Sequence, residues 1–172
     1  MAVKTASVVL DGPDLCFVAR TGSGHSIVLD DGRGDTGSRP AELIPVALAA
    51  CTAMDVISIL RKKRQEVTRY EVRADGVQED SHPNAFTRID VLHVVEGPAI
   101  DVEALRRAIE LSATKYCSVG ATLSSGMTEI HHAYLVRDTE GAEQTAEVLV
   151  QGPGADPTAT LNRVTVAAVS AG

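Results

Sequence analysis

The stretch from Leu43 to Leu60 covers 18 positions and is almost wholly apolar. Pro45 falls near its start, Thr52, Asp55 and Ser58 interrupt it, and four of its residues are Ala. A run of this length touches the lower limit for crossing a bilayer. A lone Asp near the middle of such a span is costly in lipid. A buried core helix explains the run better, and no membrane role is expected. Pro40 suits a first helical position, with Ser38 or Arg39 just before it. A helix from Pro40 to about Arg64 would be roughly 37 Å long at about 1.5 Å per residue. Pro45 lacks a backbone donor and should bend this helix or mark its true start. A helix that is apolar nearly all round wants cover on every side. A chain of 172 residues rarely surrounds such a helix alone, so the pattern points to a dimer.

Strand signals flank this helix on both sides. Thr5 to Leu10, Leu15 to Arg20 and His25 to Asp30 are β-prone runs separated by Gly-rich turns. Asp31 to Gly37 reads as a flexible loop leading into the helix. Tyr70 to Gln78 and Phe86 to Val95 read as two more strands, joined by a loop over Glu79 to Asn84. Asp101 is a plausible N-cap for an amphipathic helix reaching about Tyr116. Val102, Leu105, Ala108, Ile109 and Ser112 form its apolar face, while Glu103, Arg106, Arg107 and Glu110 should face water. Thr128 to Val136 is a further strand. The fold class is therefore α+β. After Val136 the composition changes, so residues 1–136 read as one domain and 137–172 as a C-terminal extension. Within the extension, Ala146 to Val150 and Arg163 to Val169 look like short strands, as a hairpin or a tail.

The net charge of -7 argues against a nucleic-acid partner, because phosphate contact needs clustered cations. The short basic run Arg61 to Arg64 reads as a solvated helix end, where cations complement the dipole. The first residues lack the layout of a signal peptide. Three cysteines without CxxC spacing suit a reducing compartment, so a cytoplasmic location is expected.

Cys51 lies inside the long helix and Cys117 just past the second one. A single cysteine is often only a small buried hydrophobe. Cys117, however, sits at a break in the pattern beside Lys115, where a thiol should be reachable and a cation should favour the thiolate. A thiol peroxidase needs an attacking thiolate and a second thiol that traps the sulfenic acid before it over-oxidises. It also needs a cation or hydrogen-bond donors, usually oriented by a carboxylate. This chain holds each kind of part.

The segment Arg39-Pro40-Ala41-Glu42-Leu43-Ile44-Pro45-Val46-Ala47-Leu48-Ala49-Ala50-Cys51-Thr52-Ala53-Met54-Asp55 resembles the central-helix signature of the OsmC/Ohr family. His82-Pro83-Asn84-Ala85-Phe86-Thr87-Arg88-Ile89 and the segment from Ala108 to Val119 resemble later blocks of that family. The resemblance covers roughly residues 1–136 in order. It implies an OsmC/Ohr-like fold: curved antiparallel sheets around long central helices in an intertwined homodimer, with the active sites at the subunit interface. It implies that Cys51 is the peroxidatic thiol and Cys117 the resolving one. The implied substrate is an organic hydroperoxide, and the implied reductant an external dithiol such as a dihydrolipoyl group. No cofactor is implied. Where named branches have a Glu directly after the helix-start Pro, this chain has Ala41, and Glu42 follows one position later. Nine residues separate Glu42 from Cys51, which places them on opposite sides of a regular helix at about 100° per residue. Glu42 would then act across a dimer or through the break near Pro45, or it is a first-turn carboxylate favoured by the helix dipole. Arg20 and Arg39 are the candidates for the family's catalytic Arg. Ser118-Val119 stand where named branches have Pro after the resolving Cys. These departures point to a less characterised branch.

Asp55 lies one turn after Cys51 on the same face. It could accept a hydrogen bond in the site, but pairing with a nearby cation is the favoured reading. His131 and His132 point to opposite faces of a strand, and the other histidines are scattered, so no metal is expected. Cys16 reads as a core or surface residue. A non-catalytic protein binding an apolar small molecule or acting in a stress response is the alternative function, and a cysteine hydrolase ranks last.

Overall fold

Gly24 and Gly37 give the first strands their shape. A computed structural model describes residues 2–12, 14–126 and 128–148. Strands β1 (Ala6–Leu10), β2 (Phe17–Thr21) and β3 (Ser26–Leu29) form an antiparallel sheet in that order. Gly24, at a φ of +89°, closes the β2–β3 turn by donating its N–H to the Thr21 carbonyl. Beyond β3 the loop returns so that Leu29 bridges Ser38. A Cβ at Gly37 would lie 2.5 Å from the Val28 carbonyl oxygen, so only glycine allows this approach. Asp30 fastens the loop: its carboxylate accepts the Thr36 hydroxyl at 2.7 Å and the backbone N–H groups of Thr36 and Gly32. These bonds, the hydroxyl first, hold the Asp30 carboxyl well below the usual range. The three-stranded sheet belongs to one compact unit, Met1–Ile44, and the remaining elements to a second, beginning at Pro45.

The long apolar run forms helix α1, Leu43–Lys62, preceded by a 3-10 turn over Pro40–Glu42. Pro45 therefore marks the start and costs no intrahelical bond, because N–H groups in the first turn have no helical acceptor. By length and hydropathy the stretch Pro40–Lys62 could span a membrane. One stripe of it, Leu48, Thr52, Val56 and Leu60, is instead buried in the protein. Arg61 and Lys62 occupy the last turn and are exposed, as expected of a solvated helix end.

Strands β4 (Arg69–Gln78), β5 (Phe86–Glu96), β6 (Glu129–Arg137) and β7 (Glu143–Val148) form the second sheet in chain order. This sheet corrects the expectation of purely antiparallel strands, since β5 and β6 run parallel. The reason is the connection between them. It passes through α2 (Val102–Leu111) and α3 (Ser118–Ser124), and a crossover of that length returns the chain in the same direction. Strand β7 covers part of the expected Ala146–Val150 strand and pairs antiparallel with β6. The expected strand over Arg163–Val169 lies outside the described residues.

The second unit's core forms where α1 and α2 meet the sheet. Val56 and Leu60 pack with Leu105, Ala108 and Ile109 of α2 and with Val95, Tyr134, Val136 and Val148 of the strands. Asp101 caps α2 by accepting the N–H groups of Glu103 and Ala104. Glu110 departs from the water-facing reading. It is buried, because Arg106 and Arg107 of its own helix reach across it and pair with its carboxylate.

A polar seam crosses this core. The Tyr70 hydroxyl lies 2.7 Å from His93 Nδ1, and His93 Nε2 lies 3.4 Å from His132 Nδ1. Burial pushes the two imidazoles down to about 3 and about 4, so both are neutral near pH 7. A tyrosine that keeps its proton donates to His93 Nδ1, which places the His93 proton on Nε2 and directs it at His132. In the unfolded chain these histidines take up protons near pH 6.5, whereas in the fold they do not. Their stabilising contribution is therefore complete above that pH and is lost as pH falls. Urea denaturation between pH 6 and 4 should show stability dropping by on the order of 1 kcal/mol per pH unit for each histidine. A His132→Asn variant should show a shallower slope; an unchanged slope would contradict the neutral buried pair.

Candidate functional site

The end of α2 does not finish as an ordinary helix. Ser112–Tyr116 forms a π-helical turn, in which the backbone takes an extra residue into the ring. The Thr114 hydroxyl occupies the Glu110 carbonyl at 2.7 Å, competing for the acceptor that a regular α-helical N–H would use. The turn closes with Cys117 N–H donating to the Ser112 carbonyl at 2.8 Å. Cys117 is then extended, with φ −72° and ψ 100°, and becomes the N-cap of α3. Its sulfur accepts the Gly120 N–H at 3.2 Å.

The side chain of Ser112 faces α1 and is fully buried. Its hydroxyl donates to Asp55 Oδ2 at 2.9 Å and lies 3.1 Å from Thr52 Oγ1. A hydroxyl has one proton, so when that proton goes to Asp55, Thr52 must donate to Ser112. Ser112 thus holds Thr52 and Asp55 of α1 with its side chain and Cys117 with its carbonyl. Cys51 directly precedes Thr52 in sequence and lies one turn before Asp55. The result is a cluster in which the Cys51 sulfur, the Cys117 sulfur and an Asp55 carboxylate oxygen all lie within 4.8 Å of one another.

The two thiols are unlike. Cys117 is 3% exposed and Cys51 is half-buried. Desolvation, followed by the hydrogen bond that the Cys117 thiol gives to Cys51, pushes Cys117 up to about 12, with smaller repulsion from the charges of Cys51 and Asp55. The Gly120 N–H opposes this only in part. This reverses the reading of Cys117 as the reachable thiol with a cation beside it. The Lys115 ammonium instead lies over the Tyr116 ring, 5.5 Å from its centroid. Asp55 is corrected too: its partner among the described residues is a hydroxyl rather than the expected cation. A Cβ added at Gly120 would contact both the Cys117 sulfur and Leu48 Cδ1, so an apolar side chain of α1 flanks the thiol.

Arg20, Arg39 and Glu42 belong to the first unit, and both cysteines to the second. Arg20 is exposed on β2, opposite Ser7 and Ser26. Glu42 closes the turn at Pro40 by accepting the Arg39 N–H at 2.9 Å, which matches a first-turn carboxylate. Its other oxygen lies 3.5 Å from the Arg39 guanidinium, which also reaches Asp35 at 3.5 Å. Cys16, in the first unit, lies beside the Thr36 hydroxyl at 3.7 Å.

Ser112 is the residue that sequence reasoning missed as part of the site. Its helical spacing marked it only as a core position, and nothing in the pattern announced the π turn. Ser112→Ala would leave Thr52 and Asp55 without their shared partner and should lower stability by about 1–3 kcal/mol in urea denaturation. It should also slow formation of a Cys51–Cys117 disulfide on addition of oxidant. Unchanged stability together with an unchanged rate of disulfide formation would remove Ser112 from the account.

Residues 32–132 match the family model for OsmC-like protein. The chain is 38% identical over 122 residues to protein YhfA of Escherichia coli K12, covering 71% of this chain and 90% of that one. A crystal structure of a hypothetical protein from Aquifex aeolicus VF5 superposes with a TM-score of 0.69 at 30% identity, over 80% of this chain and 98% of the other. An organic hydroperoxide resistance protein from Elizabethkingia anophelis shares the fold, with a TM-score of 0.54 at 14% identity over 81% and 98% of the two chains. The match to the family model and the identity to YhfA establish that this chain belongs to the OsmC-like family.

Proposed function

We propose that the protein is a thiol peroxidase that reduces organic hydroperoxides to alcohols in a reducing cytoplasm. One observation carries the reading: the sulfurs of Cys51 and Cys117 lie within 4.8 Å, although 66 positions separate them in the chain (117 − 51). Rotation about the side-chain bonds can bring sulfurs at that separation to a disulfide's roughly 2 Å.

The difference in burial supports the division of roles. Cys51 is the sulfur that solvent reaches, so a peroxide meets it first. The Cys51 thiolate attacks the outer oxygen, the O–O bond breaks, and the leaving alkoxide takes up a proton to become the alcohol. Cys51 is left as a sulfenic acid. Cys117 waits as a buried, protonated thiol that does not compete for oxidant. Once Cys51 is a neutral sulfenic acid, its charge no longer repels ionisation of Cys117. Cys117 then attacks, water leaves, and the disulfide forms. An external dithiol, a dihydrolipoyl group among the candidates, reduces it by exchange and is itself oxidised to a disulfide. Arg39, oriented by Glu42, is the cation best suited to hold the peroxide, because the two already form a pair. Arg20 is the second candidate.

The same reading makes the protein a homodimer. Helix α1 buries the stripe of Leu48, Thr52, Val56 and Leu60, yet Val46, Ala50 and Met54 form a second stripe open to solvent, with Met54 71% exposed. In the first unit every residue of β1 is exposed, Val8, Val9 and Leu10 included. Apolar surface on this scale belongs at an interface.

Cys51→Ser should abolish consumption of cumene hydroperoxide. Cys117→Ser should allow one turnover and then give over-oxidised Cys51 or intermolecular adducts, read by mass spectrometry. Full activity in Cys51→Ser would end the mechanism, and an inert Cys51 in the native chain would favour a binding protein. A monomer in sedimentation would contradict the dimer.

The raised pKa of Cys117 makes a separate prediction. Burial keeps Cys117 protonated at pH 8. In the folded, reduced protein, iodoacetamide should label Cys117 at least about a hundredfold more slowly than in urea. Equal rates in the two states would contradict the buried, protonated thiol.

A further inference from the structure

We propose that Cys51, Asp55 and Cys117 form a binding site for a soft divalent cation of the zinc class, which caps the reduced thiol pair. The proposal needs only the three donors and not peroxide turnover, so it stands apart from the peroxidase reading.

The donor set favours such a metal. Two thiolates and one carboxylate oxygen suit zinc, whereas magnesium and calcium require oxygen shells. At Zn–S distances near 2.3 Å, tetrahedral sulfurs stand about 3.8 Å apart. Ligand atoms that already lie within 4.8 Å of one another need little movement to reach that arrangement. Two ligands, Cys51 and Asp55, share one face of α1 at helical spacing, and Cys117 is held rigidly by the π turn. The Ser112 hydroxyl donates to Asp55 Oδ2 and so fixes the orientation of the carboxylate. This is how a supporting hydrogen bond orients a ligating carboxylate. Cys51 and Asp55 are only half-buried, so the fourth position opens towards solvent and can hold water.

Binding changes no oxidation state. Each Zn–S bond forms as a thiol proton leaves to solvent, and the carboxylate supplies the third bond. Disulfide formation consumes the same two sulfurs. Metal binding and oxidation are therefore mutually exclusive, and the metal shields both thiols from oxidant until it departs.

The test uses the full chain, reduced with a non-chelating phosphine and titrated with Zn²⁺ against a chromophoric chelator. One equivalent per chain should bind, and both Cys51 and Cys117 should become resistant to alkylation. Co²⁺ in its place should show thiolate-to-metal charge-transfer absorption. The disulfide form of the same protein should lose the site without any mutation. Asp55→Asn should weaken Zn²⁺ affinity by at least tenfold, and Ser112→Ala by roughly 10–100-fold. Equal Zn²⁺ binding by the reduced and disulfide forms would overturn the proposal, as would undiminished affinity in Asp55→Asn. Zinc binding with no peroxide consumption would refute the peroxidase reading alone. Peroxide consumption with no thiolate–cobalt absorption would refute the metal site alone.

Discussion

The contact on which the second unit's chemistry depends is the buried Ser112 hydroxyl bridging Thr52 and Asp55. Two hydrogen bonds between helices amount to little in net stability, on the order of 1 kcal/mol each. Their value lies in register. A slide of α1 by one residue would leave the buried hydroxyls of Thr52 and Ser112 without partners, and that penalty is larger than the gain from making the bonds. Cys51 is therefore fixed along α1 by the residue that follows it and by the one a turn later. Cys117 is fixed by the carbonyl of the same serine. One residue thus sets the position of both sulfurs, and the apolar packing of Val56, Leu60, Leu105 and Ile109 supplies the rigidity behind it.

That placement makes the thiols unequal, and the inequality does chemical work. Two equivalent exposed cysteines would compete for oxidant, and each could over-oxidise before the other reached it. Burial of Cys117 removes it from that competition by keeping the oxidant out and the proton on. The cost is a sluggish nucleophile, since the thiolate is the attacking form. Proximity offsets this cost, because a thiol held beside its target reacts at a high effective concentration. Part of the barrier to ionisation also disappears when Cys51 loses its charge on oxidation.

Much of this arrangement was legible in the residues. The apolar run over Leu43–Leu60, the Asp101 cap and the alternation in β5 and β6 are local signals, and the elements they mark stand within a few positions of expectation. The segment around Cys51 carried the family resemblance. The misreadings came where side-chain contacts decide. Glu110 has the spacing of a solvent-facing residue, yet two arginines of its own helix cover it. Lys115 is two positions before Cys117 in sequence, but its ammonium lies over the Tyr116 ring instead. Asp55 looked like one half of an ion pair, because its hydroxyl partner lies 57 positions away. The histidines offered no metal ligands in register, whereas the close donors are a cysteine and a carboxylate of α1 and the cysteine that caps α3.

The same feature explains why the cluster reads at once as a redox pair and as a coordination site. Both uses draw on the lone pairs of two sulfurs held at short range, and both require that each sulfur give up its proton. Asp55 separates them. In a bare thiol pair a neighbouring carboxylate works against ionisation, since its charge raises the Cys117 thiol. Beside a divalent cation the sign reverses, and the same charge becomes a ligand. A site selected only for fast thiol ionisation would exclude a carboxylate from this position. This one holds it in place with a buried serine. The geometry therefore suits a Cys117 thiol kept protonated until an electrophile arrives, whether that electrophile is the sulfur of a sulfenic acid or a metal ion.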